Sequence, residues 1–181
     1  MTLPLTQEQV RLSRRISMVL RHRPESAGIT LDSNGWVPID TLLAALHITR
    51  AELDLVVAGN DKSRFAIEAD RIRASQGHSR RVNVDLGLAP ATPPARLFHG
   101  TPRANIPPIM REGLRPRTRR HVHLSPDTDT ATRVGTRRST DVAILRVDTS
   151  AMSAAGHLFY RSANGVWLTD GVPPAYLRLF T

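Results

Sequence analysis

The sequence predicts an α+β fold in two lobes, and three observations predict it. Helical periodicity with two capping signatures fills most of the first half, ahead of a hairpin pattern. The second half is richer in short strand-like runs. Between them, Ala89-Pro90-Ala91-Thr92-Pro93-Pro94-Ala95 carries no charge and no periodicity, and reads as a stiff linker. The expected division is residues 1–88, a linker over 89–95, and residues 96–181.

The first element is a helix. Thr6 caps it, Gln9 completes a capping box, and Leu12, Ile16, Val19 and Leu20 recur on one face. Pro24 stops it just after Arg21-His22. A short strand over 29–31 runs into the turn Asp32-Ser33-Asn34-Gly35. Asp40 is expected to cap a second helix holding Leu42, Leu43 and Leu46. Thr49 and Glu52 repeat the capping box and open a third helix through Leu53 to Val57. Residues 65–68 and 71–74 read as a hairpin, and Val82, Val84 and Leu86 alternate as a further strand. Helices followed by a terminal hairpin suggest a winged-helix lobe, an architecture common among nucleic-acid binders.

In the second half, strands are expected over 96–99, 122–124, 142–147, 166–168 and 176–180. Short helices are expected near 108–111, stopped by Gly113, and near 128–134. Asn164-Gly165 is a tight-turn signal. These elements make a small lobe around a strongly twisted sheet.

With 40% apolar residues in 181, the chain can bury a core. No apolar run approaches the roughly 20 residues of a membrane-spanning helix, so no membrane partner is expected. The N-terminus lacks the basic start and apolar stretch of a secretory signal, and a cytoplasmic monomer is the expectation. There is no cysteine, which excludes disulfides and thiolate metal sites. The formal net charge is +9, and Lys62 is the sole lysine, so arginine carries nearly all the positive charge. Such a basic field favours polyanions, nucleic acid above all.

Arg21-His22-Arg23 falls at a helix end, where cations offset the macrodipole. The same trio suits a phosphate, arginine by bidentate hydrogen bonds and histidine by moving a proton. From Arg71 to Ser79 a strand enters a polar loop whose Gln76, His78 and Ser79 offer donors without carboxylates; it reads as an anion site or a solvated tip. In His99-Gly100-Thr101 the glycine lets a ligand approach the backbone and the threonine adds a hydroxyl. Within the run from Arg119 to Ser125, His121 and His123 share a strand face. A His-x-His pair can hold zinc, but the arginines beside it repel a cation, so no metal is expected. Gly135-Thr136-Arg137-Arg138 suits a pyrophosphate or a solvated basic loop. Aromatic residues concentrate between Phe159 and Trp167, where core packing accounts for both of those side chains. No Walker A loop, Gly-x-Gly-x-x-Gly or Gly-x-Ser-x-Gly is present, and no carboxylate pair stands out as catalytic, since Asp127 and Asp129 fall at an expected helix start where capping explains at least one of them. Phosphate chemistry here would therefore rest on arginine and histidine, without bound magnesium.

Leu20-Arg21-His22, Leu31-Asp32 with Gly35-Trp36-Val37, Asp61-Lys62-Ser63-Arg64-Phe65, and Ile72-Arg73-Ala74 with Gln76-Gly77-His78-Ser79 follow one another in the first half. His99-Gly100-Thr101, His121-Val122-His123-Leu124-Ser125 and Asn164-Gly165-Val166-Trp167-Leu168-Thr169 follow in the second. In this order, over almost the whole chain, they resemble the RNA 2′-phosphotransferase family. The resemblance implies a winged-helix N-terminal lobe and an ADP-ribosyltransferase-like C-terminal lobe that binds NAD, consumed as a co-substrate. It implies RNA carrying a 2′-phosphate as the partner. It also implies two steps. The 2′-phosphate attacks the ribose carbon bearing nicotinamide, giving an ADP-ribosylated 2′-phosphate; the ribose 2″-hydroxyl then attacks that phosphate. RNA leaves with a free 2′-hydroxyl, and ADP-ribose 1″,2″-cyclic phosphate forms.

The implied catalytic set is Arg21, His22, Arg73 and Arg119, with Arg117 and Arg120 near enough in sequence to compete for the fourth place. Three arginines would hold the phosphate and neutralise developing charge, while His22 shares that work or moves a proton. His99 resembles the NAD-ribose-binding histidine of the wider transferase superfamily, and His123 stands where that superfamily's tyrosine packs against nicotinamide. Val166 replaces the glutamate of many protein-modifying relatives, which argues against ordinary protein ADP-ribosylation. Gly100, Thr101, Ser125, Arg137 and Arg138 are further candidates for NAD contacts, and Lys62, Arg64, Gln76 and His78 for RNA contacts. Two other readings compete: an ADP-ribosyltransferase that caps terminal phosphates and stops after the first step, and a winged-helix binder without catalysis. The residues do not choose among tRNA splicing, RNA repair and phosphate-end modification.

Overall fold

In a computed structural model, which describes residues 5–59 and 63–181, the chain is α+β and divides into two units, Met1–Gly87 and Leu88–Thr181. In the first unit, α1 (Gln7–Arg21) starts at the Thr6–Gln9 capping box and buries Ile16, Val19 and Leu20. Helix α2 (Ile39–Leu46) follows strand β1 (Val37–Pro38), and α3 (Arg50–Ala58) starts at the Thr49–Glu52 capping box. Strands β2 (Phe65–Glu68) and β3 (Arg71–Ala74) form the expected antiparallel hairpin, and β1 pairs with the other edge of β3, giving the order β1-β3-β2. Ile72 opposes both Val37 and Ile67 and is fully buried, within a core that includes Ile16, Leu20, Leu42 and Leu53. Alternation along β3 then turns Arg71 and Arg73 to the opposite face.

Three local expectations for this unit are corrected. Residues 29–31 form no strand. Gly28, at φ +64, closes a 3₁₀ turn over Pro24–Ala27, and Ile29 N–H donates back to Pro24 O at 3.0 Å. Asp40 does not cap α2; Pro38 is the capping residue, and the N–H of Ile39 donates to Asp70 O at 2.7 Å. The alternating run from Val82 to Leu86 is also no strand. A 3₁₀ turn over Arg80–Val82 leads into Asn83 at φ +45, and a left-handed residue interrupts extended chain. Val84 is buried all the same.

The second unit holds two antiparallel three-stranded sheets. Strands β4 (Arg96–Pro102), β6 (Val142–Asp148) and β9 (Leu177–Leu179) run in the order β4-β6-β9. Strands β5 (Val122–Leu124), β7 (Tyr160–Arg161) and β8 (Trp167–Thr169) run in the order β5-β8-β7. A bridge between Phe98 and Ser125 joins the sheets, each N–H donating to the other's carbonyl at 2.9 and 2.8 Å. Leu97, Leu145 and Val147 bury against a core shared with Leu124, Met152, Phe159 and Trp167.

Helix α4 (Ile106–Glu112) stops at Gly113, φ +83. Helix α5 (Thr128–Gly135) is capped by Asp127, whose Oδ1 accepts the N–H of Thr130 at 2.6 Å. It packs so closely on β4 that a Cβ on Gly100 would overlap the Ala131 carbonyl oxygen and lie 2.6 Å from its carbon. Helix α6 (Thr149–Ala154), capped by Asp148, has no counterpart in the sequence reading. Part of the proline-rich segment lies against this unit: Ala91 N–H donates to Phe159 O at 2.8 Å, Pro90 bridges to Tyr160, and Thr149 Oγ1 donates to Pro94 O. Among the described residues, no helix is long and apolar enough to cross a membrane.

Candidate active site

In the first unit the end of α1 and the loop after β3 are tied together. Arg21 Nη2 donates to Arg64 O at 3.2 Å, and Ser79 N–H donates to Arg21 O at 2.8 Å. His22 is the C-cap of α1. The imidazole of His78 is buried, and its pKa is lowered to about 4, by burial first and then by the positive fields of Arg21, His22 and Arg73. His78 is therefore neutral near pH 7, and the fields that act on it place four of the expected residues in one neighbourhood. Arg73 Nε, Gln76 Oε1, His78 Nε2 and Ser79 Oγ are buried without a hydrogen-bond partner. Each such atom costs about 1–3 kcal/mol, so this cluster suits a polar ligand.

The sign of the His78 shift gives a pH dependence. The folded protein takes up this proton only near pH 4, whereas an unperturbed imidazole takes it up near 6.5. The contribution is fully present above the unfolded value and is lost as pH falls from there toward the folded one. Urea unfolding should show about 2 kcal/mol lost from this group between about pH 7 and about pH 5. A His78→Gln protein should show a smaller loss over that interval; an identical loss contradicts a neutral His78.

Arg64 donates through Nη1 to the buried Ser13 Oγ at 3.3 Å, so its side chain turns toward α1. Lys62 lies outside the described residues.

In the second unit, His99 on β4 places Nδ1 3.0 Å from His123 O. A carbonyl only accepts, so Nδ1 carries the proton and Nε2 presents a lone pair. Burial first lowers its pKa, against the opposing effect of that bond, with Arg119 and Arg138 adding to the lowering, so His99 is neutral. Arg119 Nη1 donates to His123 Nδ1 at 2.9 Å, which makes His123 an acceptor there, with its proton on Nε2. Although Arg119 is exposed as a whole residue, its guanidinium is desolvated; this first, then Arg138 and Arg137, draws its pKa below the ordinary arginine value. It remains charged.

The other residues expected to hold NAD fall into different surroundings. The Ser125 backbone lies in the bridge to Phe98, one residue from His99. Thr101 is buried, and its hydroxyl accepts from Asn105 Nδ2 at 3.1 Å. The approach on the Cβ side of Gly100 is taken by the backbone of α5 rather than left for a ligand. Val166 closes the turn before β8, its N–H donating to Ser162 Oγ at 3.1 Å. Arg137 and Arg138 follow α5, with Arg138 N–H on Gly135 O at 3.1 Å. His121 Nε2 stands 3.6 Å from Asp170 Oδ1. Among the described residues, no three His, Cys, Asp or Glu side chains gather as a metal site would need.

The sequence offers Ser79 only as one donor of a candidate anion loop and assigns no role to Trp36. Ser79 is buried beside the cluster, and Trp36 carries the Arg73 guanidinium 4.4 Å from its ring centroid. The signal for Trp36 was the alternation in β3, which puts Arg71 and Arg73 on one face.

Arginine charge set beside neutral imidazole, in both units, is the composition of a site that handles phosphate groups. The family profile described as RNA 2'-phosphotransferase, Tpt1 / KptA family matches residues 7–171. A Streptomyces griseus protein named "Probable RNA 2'-phosphotransferase" is 55% identical, over 94% of this chain and 96% of its own. Proteins of the same name from Streptomyces coelicolor and Hahella chejuensis are 56% and 51% identical, over 93% and 92% of this chain and 94% and 92% of theirs. The chain belongs to the RNA 2′-phosphotransferase family.

Proposed function

We propose that this chain removes an internal 2′-phosphate from RNA with NAD as co-substrate. The observation that carries the reading is the family match together with a cluster in which Arg73 Nε, Gln76 Oε1, His78 Nε2 and Ser79 Oγ are buried without a hydrogen-bond partner. NAD, when bound, supplies the ADP-ribosyl group that accepts the phosphate as nicotinamide departs.

The chain's own residues take these parts. Arg21 and Arg73 grip the phosphate and neutralise charge as it builds, and Arg119 adds a third cation to the same reaction. His22 moves a proton. His99, with Nδ1 held by the His123 carbonyl, accepts a ribose hydroxyl at Nε2. The neutral His123 ring packs against nicotinamide. Arg119, Arg137 and Arg138 lie close enough to feel one another's charge, and such a group fits the NAD pyrophosphate. Three helices with the β1-β3-β2 sheet support a winged-helix reading of the first unit. The paired three-stranded sheets support an ADP-ribosyltransferase-like reading of the second.

Product analysis tests this directly. With NAD, EDTA and a 2′-phosphorylated oligonucleotide, nicotinamide, 2′-hydroxyl RNA and ADP-ribose 1″,2″-cyclic phosphate should appear in equal amounts. A stable ADP-ribosylated oligonucleotide without cyclic phosphate would instead identify a phosphate-capping enzyme. No nicotinamide release with this substrate sinks the proposal.

A further inference from the structure

Arg73 is gripped by a turn that Asp32 builds. Asp32 Oδ1 accepts the N–H groups of Asn34 at 2.9 Å and Trp36 at 2.8 Å, and Asp32 N–H donates to Trp36 O at 3.0 Å. Gly35 sits in the turn at φ +82, where a Cβ would lie 2.9 Å from Val84 Cγ1 and 3.3 Å from His78 Nε2. The turn therefore packs directly on the loop that carries His78. Asn34 Nδ2 donates to Asp85 O at 2.8 Å, and Asp85 N–H donates to Ser33 O at 2.8 Å. These bonds fix the carbonyls of Asn34 and Leu86, which accept from Arg73 Nη1 at 3.3 and 3.5 Å. Trp36 then sets its half-buried ring against the same guanidinium, 4.4 Å from Cζ to centroid. Arg71 stands 5.4 Å from that ring and 3.8 Å from Asp32 Oδ2, which ties the carboxylate and the indole into one assembly.

We propose that Trp36, fixed by Asp32, is a positioning residue that holds Arg73 ready for the phosphate of the substrate. The inference rests on the reading of Arg73 as a phosphate-gripping residue. A guanidinium stacked on an indole keeps its in-plane donors available. Nη1 is bonded to the two carbonyls, while Nε is buried without a partner. The edge formed by Nε and Nη2 is thus the one left for a bidentate phosphate contact. A long side chain normally loses rotamer freedom when it binds; the ring and the carbonyls remove most of that loss beforehand.

The test compares Trp36→Leu and Trp36→Phe in the wild-type and Arg73→Lys backgrounds. Trp36→Leu should lower kcat for phosphate removal about tenfold with the KM for NAD unchanged, and Trp36→Phe should recover most of that loss. In the Arg73→Lys background Trp36→Leu should add little, because lysine has no flat face to stack. An equal loss in both backgrounds overturns the proposal, as does a wild-type rate for Trp36→Leu. If Trp36→Leu fails to fold, Trp167→Phe leaves Trp36 as the sole tryptophan. Its emission should then change on Arg73→Lys substitution and on addition of the 2′-phosphorylated oligonucleotide; emission indifferent to both also overturns it. A wild-type rate for Arg73→Ala is a different failure, since it removes the role of Arg73 itself.

Discussion

Replacing Arg119 with alanine should cut turnover of a 2′-phosphorylated oligonucleotide by about 10²–10³-fold. Two losses combine. One is the cation that the proposed function assigns to a group whose negative charge grows during transesterification. The other is the donor that makes His123 an acceptor at Nδ1 and so fixes its tautomer. Arg119→Lys should fall between, since an ammonium keeps the charge but not the planar fork. Arg117→Ala should stay within about threefold of wild type, and it serves as the neighbouring control, a surface substitution away from this contact. Single-turnover rates of nicotinamide release and cyclic phosphate formation check this. A wild-type rate for Arg119→Ala moves the role to another residue.

Gly100→Ala should be severely destabilising. The added methyl group would overlap the Ala131 carbonyl oxygen and lie 2.6 Å from its carbon and 3.3 Å from Gly135 N. All three atoms are backbone, so no side-chain rotation relieves the overlap, and α5 must move off β4. A cost of about 3 kcal/mol corresponds to a thermal midpoint roughly 12–24 °C lower for a domain of this size. Gly156→Ala is the useful comparison. No atom lies within 4 Å of its added Cβ, and only its φ of +86 opposes the change, so about 1 kcal/mol is expected. A calorimetric midpoint for Gly100→Ala equal to that of wild type would show that α5 is not seated as described.

What could be read in the sequence was what local chemistry decides. Helices α1 and α3 announce themselves through capping boxes, in which both partners lie within four residues. The hairpin followed from alternation. Its register placed Ile72 inward and Arg73 outward, which brought Arg73 into the field of Arg21 and His22 at His78. Failures came where a distant group or a single φ decides. Pro38 and the Asp70 carbonyl replaced Asp40 at the start of α2. Gly28 and Asn83 turned two apolar runs into irregular chain, although Ile29 and Val84 still became buried. Helix α6 is too short to show a period, since it buries only Thr149 and Met152. Gly100 illustrates a further limit: its sequence context signals close approach but not which partner approaches. The His99 tautomer was equally hidden, because a backbone carbonyl on another strand sets it.

The proline-rich stretch bears on where the second half begins as a folding body. Thr149 is fully buried, and its hydroxyl has its acceptor in Pro94; the carbonyl of Phe159 has its donor in Ala91. A fragment cut at Arg96 would strand both groups in the interior, while one beginning at Leu88 keeps them paired. Proline and alanine here serve as an outer seam of the body they precede, and the spacer suggested by their composition is, over these residues, part of the wall.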